Sequence, residues 1–187
     1  MDSNNIIVFQ KAKAACSALA ATDDEKKNKV LQAVADAIDN NTNTLLQANA
    51  LDLQRMDTAN PLHDRLMLTE QRLRTIASDM RHVATLPSPL MHTLYQRTLP
   101  NGLGLKKVSV PFGVIGIIYE ARPNVTFDVF SLCFKSGNVC VLKGGKDADN
   151  SNRAAIELIH EVLHRYDVCA DVVQLLPATH EATADML

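Results

Sequence analysis

The sequence predicts an α/β fold in which N-terminal helices and a β-hairpin arm precede an incomplete parallel sheet with covering helices. Three observations predict it. Apolar residues recur at helical spacing over the first 90 residues. Residues 94–110 have the pattern of two strands joined by an Asn-Gly turn. From residue 111 onward, short apolar runs alternate with helical segments, which is typical of a parallel sheet.

The composition is that of an ordinary globular protein without an excess of positive charge. Of the 187 residues, 47% are hydrophobic and 21% are charged. Nineteen Lys and Arg against 21 Asp and Glu give a net charge of −2, so the chain lacks the basic surface that neutralises phosphates. Aromatic residues are only 4% of the sequence, which leaves little for base stacking. We therefore expect no nucleic-acid partner.

No segment predicts an association with membranes, and the cysteines do not predict disulfides. Residues 1–10 lack the basic start and long apolar run of a signal peptide, and no stretch approaches the roughly 18 apolar residues of a membrane span. The cysteines form no C-x-x-C pair; they are Cys16, Cys133, Cys140 and Cys169. We expect reduced, buried thiols in a cytoplasmic protein.

Capping residues and apolar periodicity divide the helical part, residues 1–90. Thr22-Asp-Asp-Glu25 is predicted to form a capping box, in which the Thr22 hydroxyl bonds the backbone N–H of Glu25. The helix that follows ends at Asn40-Asn41, and Thr44 to Met56 is predicted to form another. Thr69 is predicted to cap a third clear helix. We expect these helices to be a structural layer without chemistry of their own.

A change of period at Leu94 marks the hairpin arm, residues 94–110. Leu94 to Leu99 and Leu103 to Val110 are predicted to be its two strands. Between them, Asn101-Gly102 accepts the positive φ angles of a type I′ turn. Such an exposed arm can pair with a strand edge of its own chain or of a partner, so we expect a homo-oligomer that forms through it.

Residues 111–187 have the pattern of a βαβαβ unit. The predicted strands are Val114 to Tyr119, Val139 to Leu142 and Val172 to Leu176, and the first is expected to be covered on both faces. The predicted helices are Asn124 to Ser136 and Asn150 to Tyr166. Parallel sheets of this type bind ligands at the carboxyl ends of their strands. Two loops are therefore the candidate site, Glu120 to Asn124 and Lys143 to Asn150.

The first loop contains Arg122, Pro123 and Asn124. The Asn124 amide lies near a helix start, where it is able to donate to an anionic oxygen, but it is equally able to serve only as the helix cap. Arg122 is able to bind a phosphate or carboxylate, with a surface ion pair as the alternative. Residue type and position leave both choices open.

The second loop, Lys143-Gly-Gly-Lys146, combines two cations with two residues that let a ligand approach the backbone. Lys143, Gly144, Gly145 and Lys146 suit a nucleotide, although Gly-Gly is also a common turn. The G-x-G-x-x-G fingerprint of dinucleotide-binding proteins does not occur at a strand-to-helix turn. The loop alone is therefore a weak indication of a nucleotide site.

A third motif, His160-Glu-Val-Leu-His164, matches the H-E-x-x-H pattern of zinc peptidases. Helical spacing places His160, Glu161 and His164 on or beside the polar stripe of their helix, facing solvent. The sequence offers no evident third ligand. We expect a solvated helix face and no metal site, with a zinc peptidase as a remote alternative.

Two longer segments resemble the γ-glutamyl phosphate reductase family of the aldehyde dehydrogenase superfamily. The first is Pro111 to Thr126, which contains Tyr-Glu-Ala-Arg-Pro-Asn-Val-Thr, and the second is Phe134 to Lys146. Asp64-Arg-Leu-Met-Leu-Thr69 continues the resemblance upstream. The resemblance implies an aldehyde dehydrogenase-like, Rossmann-like sheet and extends over essentially the whole chain.

The resemblance also implies a reaction and a cofactor. NADPH would reduce L-glutamyl 5-phosphate to L-glutamate 5-semialdehyde and phosphate, on the route to proline, with a possible functional link to glutamate 5-kinase. Asn124 matches the asparagine that donates to the developing oxyanion. Lys143 matches the lysine at the adenosine ribose, and a cation at Lys146 favours NADP(H) over NAD(H). Ala121, Arg122 and Pro123, with Gly144 and Gly145, complete the expected cofactor site.

This chain differs from the family at one essential residue, the nucleophilic cysteine. In the family the nucleophilic cysteine lies downstream of the cofactor-binding region, and none of the four cysteines here matches it. Residues 1–187 are therefore expected to be a partial cofactor-binding domain, inactive by itself. The alternative is a catalytically inactive nucleotide-binding or assembly module.

Overall fold

The computed structural model describes residues 2–187, which form eight α-helices and five strands. The helices are α1 (Ser3–Ala21), α2 (Asp24–Asn40), α3 (Thr42–Leu53), α4 (His63–Leu66), α5 (Glu70–Thr85), α6 (Asn124–Lys135), α7 (Asp149–Arg165) and α8 (His180–Met186). The strands are β1 (Thr93–Thr98), β2 (Gly104–Val108), β3 (Val114–Ile118), β4 (Val139–Lys143) and β5 (Val173–Leu175). The order of elements confirms the predicted helices, hairpin and strand–helix alternation.

One predicted helix cap is confirmed and another is wrong by one residue. The Thr69 hydroxyl accepts from the backbone N–H of Arg72 at 3.1 Å, as predicted for the start of α5. At α2 the cap is Asp23, whose carboxylate accepts from the N–H of Lys26 at 2.6 Å. Thr22 instead ends α1, and its hydroxyl donates to the carbonyl of Ala18 at 3.0 Å. Because α1 extends to Ala21, Thr22 is the C-cap of α1 and does not cap α2.

The hairpin is confirmed, but its turn is not type I′. β1 and β2 pair antiparallel, with Thr98 opposite Gly104. The N–H of Gly102 donates to the carbonyl of Leu99 at 2.9 Å, and within the described residues of this turn only Gly102, at φ +86°, has a positive φ. Pro100 explains the difference, since its ring fixes φ near −65° and favours a type I turn that a left-handed glycine follows.

The three-stranded sheet has the order β3-β4-β5 with all strands parallel. Val139 to Leu142 in β4 are fully buried, as expected of a central parallel strand. The expectation that β3 is covered on both faces is wrong, because Val114 and Ile118 are 40% and 43% exposed. β3 lies at the edge of this sheet, so within residues 2–187 it has a neighbouring strand on one side only.

The sheet and the helices share one continuous hydrophobic core. α1 packs on β4, α2 and α5 pack against α6, and α3 packs against α7. The apolar face of α7 points into this core, and its members are all buried: Ala155, Ile156, Ile159, Val162 and Leu163. Cys133 and Cys140 are buried as expected, whereas Cys169 is exposed because it lies in the turn before β5. Within residues 2–187, all four cysteines are free thiols.

Candidate functional site at the carboxyl edge of the sheet

The two predicted site loops lie in contact at the carboxyl edge of the sheet. β3 and β4 pair in register to their ends, with Ile118 opposite Lys143. A Cβ placed on Gly145 would lie 3.3 Å from the Cα of Glu120 and 3.5 Å from the nitrogen of Ala121. Glycine at this position therefore lets the second loop pass close to the backbone of the first.

A chain of hydrogen bonds beneath the loops fixes their relative position. The Tyr119 hydroxyl lies 2.7 Å from the hydroxyl of Thr126, which in turn donates to the side-chain carbonyl of Asn152 at 3.0 Å. Thr126 and Asn152 are buried, and burial raises the pKa of Tyr119 to about 12. A Cβ on Gly144 would overlap the Asn152 amide, so this glycine makes room for the chain.

The N-terminus of α7, which follows β4, is occupied by a carboxylate of the protein itself. Asp52 of α3 is 1% exposed and accepts from the backbone N–H groups of Asn150 and Ser151 at 3.1 and 2.8 Å. The side chains of the same two residues donate to it at 2.7 Å each. The donors that bind phosphate in many dinucleotide-binding folds are thus already in use here.

Sequence reasoning missed this buried network, although a signal for it exists. Asn49, one turn before Asp52, donates to the Ser151 hydroxyl at 3.1 Å and accepts from the N–H of Leu68 at 2.7 Å. Leu45, Asn49 and Asp52 lie at i, i+4 and i+7 on the buried face of α3. Polar residues on an otherwise apolar stripe indicate buried hydrogen bonds.

A cavity of about 870 Å³ lies at this edge and brings together most of the predicted cofactor residues. Ala121, Lys143, Gly145 and Lys146 line it, and Gly144 is buried beside them. Further lining comes from Arg55 and Leu62 after α3 and from Arg153 of α7. Lys143 is half-buried and Lys146 is exposed, and within residues 2–187 neither forms an ion pair.

Arg122 and Asn124 lie elsewhere, in a groove of about 410 Å³ between α5 and the start of α6. Pro123, buried between the two loop residues, is the N-cap of α6, so the interpretation of Asn124 as a helix cap is wrong. The Asn124 amide instead donates to the carboxylate of Asp128, one turn later, at 2.9 Å. Arg122 is exposed, and within residues 2–187 it forms no ion pair.

The groove is electrostatically mixed. Burial raises the pKa of Asp128, and the nearby charge of Asp79 raises it further, while the hydrogen bond from Asn124 acts in the opposite direction. Arg65 and Asp64 line the same groove. Two segments that are far apart in sequence, 64–69 and 122–124, thus meet on one surface.

The side chains of the histidine motif point in different directions. The His160 ring lies 2.9 Å from the carbonyl of Val173, so the expectation that it faces solvent is wrong. Glu161 and His164 are exposed. Across the described residues there is no group of three or more His, Cys, Asp or Glu side chains able to hold a metal ion.

Comparison with known proteins gives the loops and cavities a family context. No protein-family model matches the chain. Gamma-glutamyl phosphate reductase from Bacteroides thetaiotaomicron is 58% identical over 187 residues, which is all of this chain and 45% of that protein. The chain is a homologue of gamma-glutamyl phosphate reductase. It corresponds to the N-terminal portion of that enzyme and spans less than half the length of the curated relatives that it matches.

Solved structures agree with this assignment. The crystal structure of gamma-glutamyl phosphate reductase from Thermotoga maritima matches 97% of this chain and 45% of that chain, with a TM-score of 0.93 and 30% identity. A probable aldehyde dehydrogenase from Listeria monocytogenes matches 96% of this chain and 38% of that chain, with a TM-score of 0.70 and 14% identity. The second likeness shows that the fold is aldehyde dehydrogenase-like, as predicted. Within residues 2–187, no helix is both long and apolar enough to cross a membrane.

Proposed function

We propose that this chain is the cofactor-binding portion of an enzyme that reduces L-glutamyl 5-phosphate with NADPH. The products are L-glutamate 5-semialdehyde and phosphate. Its similarity to gamma-glutamyl phosphate reductases over the whole 187 residues carries the proposal. The cavity at the carboxyl edge of the sheet supports it, because Lys143 and Lys146 line that cavity without carboxylate partners among residues 2–187.

NADP(H) fits the chemistry of this cavity. Gly144 and Gly145 make room for Asn152 and for the backbone of Glu120, which keeps the loop close to the strand ends. Lys143, at the end of β4, is proposed to donate to the ribose hydroxyls. Lys146, exposed at the rim, supplies the charge that a 2′-phosphate requires. Since Asp52 accepts from the backbone N–H groups at the start of α7, we propose that side-chain cations of the cavity bind the phosphates. When bound, NADPH supplies the hydride.

Asn124 is proposed to stabilise the oxyanion that develops on the acyl carbon. One N–H of its amide is held by Asp128, which leaves the second N–H to donate into the groove. A donor fixed in this way loses little freedom when charge develops, and that is the basis of oxyanion stabilisation. None of the four cysteines matches the expected nucleophile, so we propose that these 187 residues bind cofactor but do not turn over substrate alone.

Calorimetric titration of the 187-residue chain with NADPH and NADH tests the cofactor assignment. We expect the chain to bind NADPH more tightly, and Lys146→Glu to reverse this preference. Lys13→Glu makes the same charge change on the exposed surface of α1 and is expected to leave both affinities unchanged. A Lys146→Glu chain that keeps the wild-type preference for NADPH would contradict the assignment.

A second candidate function is assembly, which the hairpin arm favours. Its large apolar side chains are exposed, with Leu94, Tyr95 and Leu103 at 61%, 51% and 56%. An isolated two-stranded hairpin is only marginally stable in water, so pairing with another copy of the chain would stabilise it. We propose a homo-oligomer that forms through residues 94–110, which light scattering over a range of concentrations tests.

The same proposal includes the cellular setting of the enzyme. The expected biosynthetic role and the free thiols, which reducing compartments maintain, support a proposed cytoplasmic location. A supply of L-glutamyl 5-phosphate requires a kinase that acts on glutamate, so we propose a functional link to glutamate 5-kinase. Neither nucleic acid nor membrane is part of the proposed function.

A further inference from the structure

The cavity that contains Lys143 and Lys146 has a wall that none of the sequence motifs includes. Arg55 and Leu62, from the segment between α3 and α4, line it together with the glycine loop. This segment lies outside the motif segments 64–69, 111–126 and 134–146. Arg55 therefore adds a cation to the cavity from a part of the chain to which sequence reasoning gave no chemistry.

The backbone of Arg55 is tied directly to the buried network at α7. Its N–H donates to the carbonyl of Asp52 at 3.1 Å. The Asp52 carboxylate in turn accepts four hydrogen bonds from Asn150 and Ser151 at 2.7 to 3.1 Å. The position of Arg55 relative to the start of α7, and to the Lys146–Ala148 turn just before it, is thus fixed by buried contacts.

The lining of the cavity is mixed in charge, with carboxylates from Glu120, Asp147, Asp149 and Glu181 beside its cations. Among those cations, Arg55 differs from the lysines in its guanidinium and from Arg153 in its pairing. Arg153 donates to Asp149 at 2.9 Å and is partly neutralised. Lys143 is half-buried at the end of β4, whereas Arg55 and Lys146 are both exposed at the rim. Within the described residues, Arg55 forms no ion pair. A guanidinium with free donors binds a phosphate monoester through two parallel hydrogen bonds, which a lysine alone cannot form.

We propose that Arg55 is a specificity-determining residue, which together with Lys146 binds the 2′-phosphate that distinguishes NADP(H) from NAD(H). This inference rests on the proposed function, because it places the adenosine end of the cofactor in this cavity. The two cations come from different segments of the chain, after α3 and after β4, so each contacts the phosphate from its own side of the rim. Lys143 remains with the ribose.

Titration of the 187-residue chain with nucleotide fragments tests the inference. The probes are 2′,5′-ADP and 5′-AMP, which differ only in the 2′-phosphate, alongside NADPH and NADH. Arg55→Gln is expected to weaken the binding of NADPH and 2′,5′-ADP about tenfold, the value of one charge-assisted contact, and to leave 5′-AMP and NADH unchanged. Arg55→Lys keeps the charge and should recover part of the loss.

Arg74→Gln is the matched control, since Arg74 lies on the exposed face of α5 and, among residues 2–187, has its ion pair with Glu70. It should leave all four affinities unchanged. An Arg55→Gln chain that binds 2′,5′-ADP as well as the wild type does would overturn the inference and leave the cofactor assignment intact. An equal loss for 5′-AMP and 2′,5′-ADP would overturn the assignment to the 2′-phosphate. A wild-type chain that binds no nucleotide would overturn both proposals.

Discussion

The N-termini of α6 and α7 follow neighbouring parallel strands, yet their first backbone N–H groups are hydrogen-bonded in different ways. At α7, the buried carboxylate of Asp52 takes the first free backbone donors. At α6, the N-cap residue is Pro123, and no side chain caps the helix. The comparison teaches that a helix start at the carboxyl edge of a sheet is not by itself a phosphate site. The N-terminus of α7 is hydrogen-bonded to Asp52, whereas Asn124, at the N-terminus of α6, lines a groove.

Removal of the Asp52 carboxylate from the N-terminus of α7 is expected to have the largest effect on stability. Asp52→Ala leaves the N–H groups of half-buried Asn150 and buried Ser151 without acceptors, together with two side-chain donors. We expect the free energy of unfolding to fall by about 3 kcal/mol, because buried unpaired donors keep their full desolvation cost. Urea unfolding at pH 7 measures this change.

Glu161→Ala is the control for that measurement, since Glu161 is an exposed carboxylate on the same helix. Its effect should stay within about 0.5 kcal/mol, as is usual for surface positions. If Asp52→Ala is no more destabilising than this control, the two helix starts are energetically alike. The contrast between them would then be wrong.

A smaller loss of stability is expected when the hydrogen-bond chain that joins the N-terminal turns of α6 and α7 is broken. Thr126→Val keeps the shape of the side chain but leaves the Tyr119 hydroxyl and the Asn152 carbonyl without their shared partner. We expect the free energy of unfolding to fall by about 1–2 kcal/mol. Tyr119→Phe removes one end of the same chain. The double variant should lose less than the sum of the two single losses, and full additivity would show that the chain does not act as a unit.

The local features of this fold were predictable from sequence because they depend on nearby residues. Apolar periodicity placed α5, α6 and α7, and the Thr69 cap needed only the residues that follow it. Errors arose where two local signals competed. Thr22 and Asp23 are both good caps, and Pro100 beside Asn101-Gly102 changed the turn type.

The site was predictable only in part, because long-range contacts assemble it. The rule that ligands bind at strand ends selected the glycine loop and the loop before α6, and residues of both loops line cavities. It did not separate Arg122 and Asn124, in one groove, from Lys143 and Lys146, in another cavity. Nor did it find Asp52, whose partners lie about a hundred residues away in sequence.

The smallest expected effect on stability concerns Asp128, near the N-terminus of α6, and it depends on pH. Burial and the charge of Asp79 raise the pKa of Asp128 above its ordinary value of 3.8. A carboxyl whose pKa is raised on folding costs stability when it ionises, and this cost is absent below the unfolded pKa. Asp128→Asn removes the charge and leaves an acceptor for the Asn124 amide. The variant should therefore gain stability relative to the wild type as the pH rises from 3 to 7. Urea unfolding across this pH range measures the gain, and Glu161→Gln, at an exposed position, is the control. If the difference in unfolding free energy between Asp128→Asn and the wild type does not change with pH, burial does not raise the pKa of Asp128.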